Sequence, residues 1–532
     1  MGQVVNLQPI VNRLASGPKT RVANPLQVVN LPHLKAIPRP CHTDELSRLR
    51  KYLLFPGLAL AVIALYLYQL DGMGVLSTDE PRYLAVGRAM AASHDWVMPV
   101  LWGKPWFEKP PLLYWLVALG ARAGLGLELC GRLPVALMSL AFLAGFFELL
   151  RREFCFRVAA TSTLLLACSA GWLAFSSLAL TDAPLAVCFS LAVLLLLPLV
   201  ASERRHSPPE VNARFALAGV ATGLAVLAKG LVPILLLVPA AWYLRRHVRS
   251  WWIGLAAMLL VAAPWYIDVY LRGGFPFIEE FFLKHHLARM YSASIEHVQP
   301  FYFYIPALLG SVFPWTPLLL LPIERRTWAE PRRQYLLVTV AFGFLFFSAI
   351  LNKLPGYLLP LLPPLFILIG ARFEDQRLAE TGRGWMIACA VLIGVVPLLS
   401  GVIPRVLAGQ HDALALLTLT PTMIAFSLLP LGFAAVAKRA WLGPVLIFCS
   451  VAAALYLKQS VYPVLDRDNS ARGLWREIAP EIGTFCDAGL HRAWQYQFAF
   501  YLGHPLPPCQ LGLSRWALSQ HGNERPIVSP LP

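Results

Sequence analysis

Charged residues are scarce in this sequence, and their scarcity excludes a soluble enzyme. Asp, Glu, Lys and Arg account for only 14% of the 532 residues, whereas 57% are hydrophobic. In an average soluble domain, roughly a quarter of all residues are charged. Repeated apolar runs near 20 residues are instead typical of membrane-spanning helices. The composition therefore predicts an all-α polytopic membrane protein.

Cysteine is also sparse, because nine residues in a chain of this length are too few for a disulfide framework. Most of the cysteines lie in apolar runs, where a small buried side chain explains them. Cys486 and Cys509 lie instead in the polar C-terminal segment. If that segment lies in an oxidising compartment, the sequence is compatible with two alternatives, a disulfide between these cysteines or two free thiols.

The sequence lacks the signatures of several enzyme classes. It contains no Walker loop, no dinucleotide-binding glycine fingerprint and no HExxH motif, so ATP-driven, redox and zinc-protease chemistry have no support. Residues 1–48 show no signal-peptide pattern of charge, short apolar core and cleavage site. We expect them to form a disordered cytoplasmic tail.

The basic residues follow a membrane topology. The formal net charge of +16 would suggest nucleic acid in a soluble protein, but in a polytopic protein it reflects the positive-inside bias, and no nucleic-acid partner is expected. Thirteen apolar runs lie near residues 52–70, 132–150, 158–179, 184–201, 215–228, 230–244, 252–271, 303–322, 335–351, 356–371, 384–404, 413–435 and 441–459. Every loop that these spans place inside is basic, namely residues 151–157, 204–214, 245–249, 325–333, 372–383 and 438–439.

This topology divides the chain into three parts. Arg48, Arg50 and Lys51 place the N-terminus in the cytoplasm, and an odd number of spans leaves the C-terminus outside. Residues 49–460 then form the transmembrane domain, whose long first outer loop, 71–131, has half-apolar stretches typical of juxtamembrane helices. Residues 461–532 carry helix and strand patterns of a small extracytoplasmic α/β domain.

Ionisable residues near a membrane are costly and mark candidate functional sites. The unusual ionisable and polar residues gather on the outer face: Asp79, Glu80, Glu108, Lys109, Asp182, Lys229, His285, His286, Arg289, Lys353 and Tyr357. Each alone has a simpler explanation, since acids cap helices, lysines reach lipid headgroups, histidines occur in loops and a tyrosine fits an interfacial belt. Together they predict a site for a phosphate-bearing amphiphile.

Such a site favours one chemistry. Lysine and arginine bind phosphate, and a nearby carboxylate can act as general base on an acceptor hydroxyl. If a sugar is attached to a lipid phosphate, the cations neutralise the charge that develops on the leaving phosphate. A single direct displacement inverts the configuration at the sugar carbon.

The first outer loop, LSTDEPRYLAVGRAMAASHDWVMPVLWGKPWFEKPPLLYW, resembles the corresponding loop of bacterial aminoarabinose (4-amino-4-deoxy-L-arabinose) transferases that modify lipid A. Those enzymes belong to the protein O-mannosyltransferase superfamily, with the polytopic glycosyltransferase C fold. The segments GRLPVAL, GLAVLAKG, HHLARM and FSAILNKLPGYLLPLLPP match in the same order. The resemblance covers about residues 50 to 370, and it implies a bacterial inner-membrane location with a periplasmic C-terminus.

The resemblance also implies residue roles. It makes Asp79 the catalytic base or the residue that orients the acceptor, with Glu80 beside it and Asp182 as a second acid on the same face. It makes Arg82, Lys109, Arg289, Lys353 and Tyr357 contacts to the donor phosphate. Glu108 and His286 resemble a metal-binding pair, although no cofactor is expected to be required. The chain departs from the family in reading LKHH before His286, where a Glu-His pair is expected, and in its short C-terminal domain.

These observations predict a glycosyltransferase that uses a polyprenyl-phosphate sugar donor at the periplasmic face, among membrane lipids, with lipid A, another glycan or a protein as acceptor. Two alternatives stay open at this stage. A transporter or flippase of lipid-linked saccharides usually has internal repeats and midplane charges, and neither is evident in the sequence. A polymerase or ligase of such saccharides would use a similar donor.

Overall fold

The computed structural model is mostly helical over the residues that it describes. These are residues 54–200, 206–288, 298–323, 328–374, 378–407, 419–479, 485–509, 514–520 and 525–531. The predicted tail over residues 1–48 lies outside them.

Helices and one short hairpin make up the first half of the described chain. The helices are α1 Phe55–Leu67, α2 Asp79–Ser93, α3 Leu112–Arg122, α4 Leu129–Glu153, α5 Phe156–Ala167, α6 Ala170–Ser176, α7 Asp182–Leu196, α8 Pro208–Lys229, α9 Val232–Leu236, α10 Val238–Tyr243, α11 Val248–Gly273 and α12 Phe275–Phe277. Strands β1 Val100–Leu101 and β2 Lys104–Pro105 pair antiparallel between α2 and α3. A 3-10 turn, Leu197–Leu199, extends α7, and a π-helix, Ile278–Ala288, follows α12.

The second half continues the bundle and ends in a small sheet. Its helices are α13 Tyr304–Val312, α14 Pro331–Ala349, α15 Leu362–Glu374, α16 Leu378–Leu407, α17 Pro421–Val436, α18 Arg439–Asp468, α19 Ala471–Ile478 and α20 Arg492–Leu502. Its 3-10 helices are Phe301–Phe303, Thr316–Ile323 and Pro355–Leu361. Its strands are β3 Phe485–Asp487, β4 Trp516–Ser519 and β5 Ile527–Pro530.

The helices confirm a multi-pass membrane protein. In the described part of the chain, seven helices are long and apolar enough to cross a membrane, and the number reaches nine if each of two bent helix pairs is one span. One pair, α5 with α6, bends by 64°, and the other, residues 301–312 with 316–322, bends by 110°. As far as the structure describes them, the predicted apolar runs fall on helices or broken helices. The count of thirteen spans stays a prediction.

The spans differ in how much of their surface meets protein. In α7 with its 3-10 extension 83% of the apolar window is buried, and in residues Pro355–Phe373 the share is 89%. Helix α11 buries only 22% and exposes Trp252, Leu260 and Leu271. A helix that is apolar on every side can pack inside the protein or face lipid. The central position of α7 and of Pro355–Phe373 brings the beginnings of these two segments together in the interior.

The first outer loop contains the expected short helices, α2 and α3, with the β1–β2 hairpin between them. The two helices approach closely at Gly87, where an added Cβ would lie 2.4 Å from the Cβ of Val117. Helix α3 is amphipathic and buries Leu113, Tyr114 and Val117 against the bundle. The loop is therefore a packed layer on the transmembrane domain.

The C-terminal segment forms a small α/β unit. Helix α18 runs on to Asp468, beyond the boundary expected at residue 460, because its apolar pattern continues through the buried Val461 and Leu465. Strands β3 and β4 pair parallel, and β4 and β5 pair antiparallel. Cys486 and Cys509 form a disulfide, which decides between the two options that the sequence left open.

Candidate active site

The candidate site begins where the first outer loop turns into α2. Ser77 adopts a left-handed conformation with φ of 61°, and α2 begins two residues later at Asp79. A carboxylate in the first turn interacts favourably with the positive end of the helix dipole. No side chain caps this helix, so helix capping does not explain the pair Asp79 and Glu80.

Arg82 and three other charged side chains form one cluster. Its Nη1 donates to Oε2 of Glu108 at 2.7 Å, its Nη2 donates to Oδ1 of Asp79, and its Nε donates to the carbonyl of Thr78 at 2.8 Å. The Nζ of Lys109 lies 3.3 Å from Oε1 of Glu108. The sequence placed all four of these charged residues in one site, and the structure brings them into direct contact.

The side chains of this cluster differ in how far they are buried. Arg82, Glu108 and Lys109 are almost completely buried, whereas the Asp79 side chain is 36% exposed. Burial by itself would lower the pKa of Arg82, but the carboxylates of Glu108 and Asp79 raise it above its ordinary value. The guanidinium is thus always charged, and Asp79 is the carboxylate that a substrate can reach.

Aromatic rings enclose the Arg82 guanidinium. Its Cζ lies 5.4 Å from the ring centroid of Trp106 and 5.0 Å from that of Tyr496. Tyr496 also stacks on Trp102, with ring centroids 5.8 Å apart. Cation–π contacts of this kind hold a buried arginine in one orientation.

Glu80 has a different environment from Asp79. Its two carboxylate oxygens accept from Nε and Nη2 of Arg132, both at 2.8 Å, and from the backbone N–H groups of Leu76 and Ala179. Arg132 also donates to the carbonyls of Leu70, Met73 and Gly74. Both side chains are buried. Glu80 therefore fastens the loop before α2, and its carboxylate does not join the Arg82 cluster.

Asp182 begins α7 and forms a second polar group. Its Oδ1 accepts from Nζ of Lys229 at 2.5 Å, and that ammonium lies 4.6 Å from the ring centroid of Tyr357. No side chain caps α7, so capping does not explain Asp182 either. An added Cβ at Gly356 would lie 2.3 Å from Oδ1 of Asp182, so the chain needs glycine there.

Three predicted site residues remain, Lys353, Arg289 and His286. The Nζ of Lys353 donates to the carbonyls of Gln299, at 3.1 Å, and Ile350, and burial lowers its pKa. Its ammonium thus joins its own loop to the segment at Gln299, and its contact to the donor phosphate stays a prediction. Arg289 lies outside the described residues, and so does the side chain of His286.

The metal-binding pair of Glu108 and His286 stays a prediction, since the side chain of His286 lies outside the described residues. The two carboxylate oxygens of Glu108 face the cations Arg82 and Lys109, which compete with a metal for the same lone pairs. Among the described side chains, no group of three or more His, Cys, Asp and Glu is placed to hold a metal.

Sequence reasoning missed several partners of these residues. Arg132 lies in GRLPVAL, a segment that was matched without a role. The available signal was a charged residue at the start of an apolar run, since such a charge needs a partner. Lys229 was noted only as an outer-face charge. Tyr496 gave no signal, because a tyrosine in a polar domain is ordinary.

In sequence the chain is similar to known membrane glycosyltransferases. Residues 108–267 match the family model described as dolichyl-phosphate-mannose-protein mannosyltransferase. An undecaprenyl phosphate-alpha-4-amino-4-deoxy-L-arabinose arabinosyl transferase of Pseudomonas fluorescens is 33% identical over 343 residues, 60% of this chain and 58% of the relative. A second one from the same species is 32% identical over 394 residues, 70% of this chain and 65% of the relative. The matched region thus spans about three fifths of these curated relatives.

The fold is similar to that of solved structures. The crystal structure of ArnT from Cupriavidus metallidurans bound to undecaprenyl phosphate matches with a TM-score of 0.67 at 26% identity, covering 89% of this chain and 87% of that chain. The apo state of the same protein matches with a TM-score of 0.69 at 23% identity, covering 90% and 87%. The match confirms the predicted all-α polytopic fold of this type, whereas the number of spans and the periplasmic place of the C-terminal domain stay predictions.

Proposed function

We propose that this protein, a relative of the bacterial aminoarabinose transferases and of the protein O-mannosyltransferase superfamily, transfers a sugar from a polyprenyl-phosphate donor to an acceptor at the membrane surface. One observation carries the proposal. In the cluster of Asp79, Arg82, Glu108 and Lys109, the reachable carboxylate of Asp79 pairs with the buried Arg82, and Glu108 links Arg82 to a second buried cation, Lys109. Glycosyl transfer from a lipid phosphate needs this combination of a base and phosphate-binding groups.

Asp79 is the proposed general base. It is the exposed carboxylate of the cluster, and Arg82 fixes the position of one of its oxygens. The neighbouring carboxylates are committed to buried partners, Glu80 to Arg132 and Glu108 to Arg82 and Lys109. A base that accepts a proton during attack needs both a fixed position and access to the acceptor.

Arg82 and Lys109 are the proposed donor-phosphate contacts. Both are buried, so their charges are weakly screened and act strongly on a phosphate that approaches them. Glu108 lies between the two cations and holds them in place. The donor phosphate would replace part of this internal pairing.

The proposed step is a single displacement. Asp79 removes the proton of the acceptor hydroxyl as its oxygen forms a bond to the anomeric carbon of the sugar. The bond between that carbon and the phosphate oxygen breaks, and polyprenyl phosphate leaves with the electron pair. Arg82 and Lys109 stabilise the charge on the leaving phosphate, and the sugar configuration is inverted.

Asp182 supports the reaction from the neighbouring group. Its ion pair with Lys229 and the ring of Tyr357 fixes the beginning of α7. The N–H of Ala179, in the turn before α7, donates to Glu80 at 3.1 Å. Through Glu80 the Asp182 group is therefore connected to the segment that carries Asp79, and we propose that it positions this segment rather than accepting the proton.

The resemblance favours lipid A as the acceptor and aminoarabinose as the sugar, at the periplasmic face of a bacterial inner membrane. Another glycan or a protein acceptor would use the same base and the same cations. No cofactor enters this proposal. A divalent metal near Glu108 and His286 remains the alternative to an unassisted displacement.

The proposal is tested with purified protein in detergent and a polyprenyl-phosphate sugar labelled in the sugar. We expect free polyprenyl phosphate to appear together with labelled acceptor when lipid A is present. In liposomes, movement of the intact donor across the bilayer without bond cleavage would contradict the proposal and favour a flippase. If the label appears on another glycan or on a protein and not on lipid A, the proposed acceptor is wrong but the proposed reaction, sugar transfer, is supported.

A further inference from the structure

The C-terminal α/β unit contacts the loop that carries Asp79 at several points. Helix α20 supplies two tyrosines to this contact, Tyr496 and Tyr501, and the end of α18 with the beginning of α19 supplies Asp466 and Arg472. These residues lie far from Asp79 in the sequence and on a different part of the fold. Their contacts define what the C-terminal unit does for the site.

Tyr501 holds the segment before α2. Its hydroxyl accepts from the N–H of Val75 at 3.1 Å and donates to Oε1 of Glu128 at 2.8 Å. Burial raises the pKa of Tyr501, so the hydroxyl keeps its proton for that second bond. Helix α20 is thus fixed to the backbone four residues before Asp79.

A second contact holds the same segment one residue earlier. Oδ1 of Asp466 accepts from the N–H of Gly74 at 2.7 Å, and Nη1 of Arg472 donates to the carbonyl of Asp71 at 2.7 Å. The chain passes so close that a Cβ at Gly74 would lie 2.1 Å from Oγ of Ser470. The C-terminal unit therefore sets the path of residues 71–75 toward the site.

Tyr496, one and a half turns before Tyr501 on α20, reaches the site itself. Its ring lies 5.0 Å from the Arg82 guanidinium and stacks on Trp102 of the β1–β2 hairpin. Trp106 is the other aromatic ring over Arg82. The phosphate-binding arginine thus depends on one ring from the first outer loop and one ring from the C-terminal unit.

We propose that Tyr496 is a positioning residue for sugar transfer, and that the C-terminal unit completes the active site by holding Arg82 in the orientation that serves both Asp79 and the donor phosphate. The inference rests on the proposed function and deepens it. The π face of the ring is the group that matters, because Arg82 interacts with the ring itself.

The test compares Tyr496→Leu with Tyr496→Phe in steady-state transfer assays. Leucine keeps apolar bulk but removes the π face, whereas phenylalanine keeps the π face. We expect Tyr496→Leu to raise the donor KM about tenfold, in line with loss of a desolvated cation–π contact. Tyr496→Phe should stay within about twofold of the unaltered protein, and the acceptor KM should change little in either variant.

The matched control is Gln495→Ala, the exposed neighbour on α20 that bonds Asp487 inside the C-terminal unit. We expect it to leave the donor KM unchanged. An unchanged donor KM in Tyr496→Leu, or an equal rise in Tyr496→Phe, would overturn the positioning role. Absence of transfer by the unaltered protein would instead count against the proposed function, which keeps the two failures distinct.

Discussion

At the scale of single residues, two neighbouring acids of one helix turn have separate tasks. Asp79 is partly exposed and bound to Arg82, whereas Glu80 is buried and bound by Arg132 and two backbone N–H groups. Adjacent positions on a helix point in directions about 100° apart, so one can face a site while the other faces the core. The sequence identified the pair but could not distinguish its members, because the distinction depends on Arg132, 52 positions away in the chain.

Replacing Glu80 by alanine tests its structural task. The change leaves Arg132 charged and buried without its carboxylate, so we expect the free energy of unfolding to fall by about 3–5 kcal/mol. Thermal unfolding of the purified protein in detergent measures this loss. Glu148→Ala is the control, since Glu148 also pairs with two arginines but at the exposed end of α4. Equal stability of the two variants would contradict the assignment of Glu80.

At the scale of elements, close approach between segments decides where the acids lie. The 3-10 helix Pro355–Leu361 packs on the beginning of α7, and Gly356 is the residue that lets Asp182 come near. KLPGYLLP belongs to one of the segments that match the aminoarabinose transferases. Its physical reason lies in this contact and in Tyr357, whose ring faces Lys229. Neither reason is visible in a linear sequence.

Gly356→Ala should therefore damage the site through its backbone position. The new Cβ would lie 2.3 Å from Oδ1 of Asp182, so the carboxylate must move and its ion pair with Lys229 weakens. We expect transfer to fall at least about tenfold, since small misplacements near reacting groups are costly. Gly145→Ala in α4, where nothing lies within 4 Å of the added Cβ, should keep full activity. Similar activity of both variants would show that the contact at Gly356 is unimportant.

At the scale of the whole molecule, the sequence predicted the fold class better than the assembly of the site. Apolar runs and basic loops were sufficient for the helical, multi-pass architecture, because membrane insertion depends on local composition. Asp79, Glu108 and Lys109 were found because charge near a membrane is rare. Tyr496 was missed, because its contact with Arg82 joins positions far apart in the sequence and depends on the folded chain.

The topology makes a prediction of its own. The predicted cytoplasmic N-terminus and odd number of spans would place the C-terminal unit and its disulfide outside, where disulfides persist. Alkaline phosphatase, which folds only in an oxidising compartment, should be active when fused after residue 532. It should be inactive when fused after residue 152, in the first basic loop. The reverse pattern would contradict the orientation, and activity at both positions would contradict the number of spans between them.

Asp79→Asn is the sharpest test of whether Asp79 is the base of sugar transfer. The change keeps the size of the side chain but removes its ability to accept a proton. With a labelled polyprenyl-phosphate sugar, we expect the purified variant to lose transfer by about 10²- to 10⁴-fold, while membrane insertion and thermal unfolding stay as in the unaltered protein. Asp95→Asn, an exposed acid of the same loop that pairs with Arg272, should retain transfer. Normal transfer by Asp79→Asn would contradict the account.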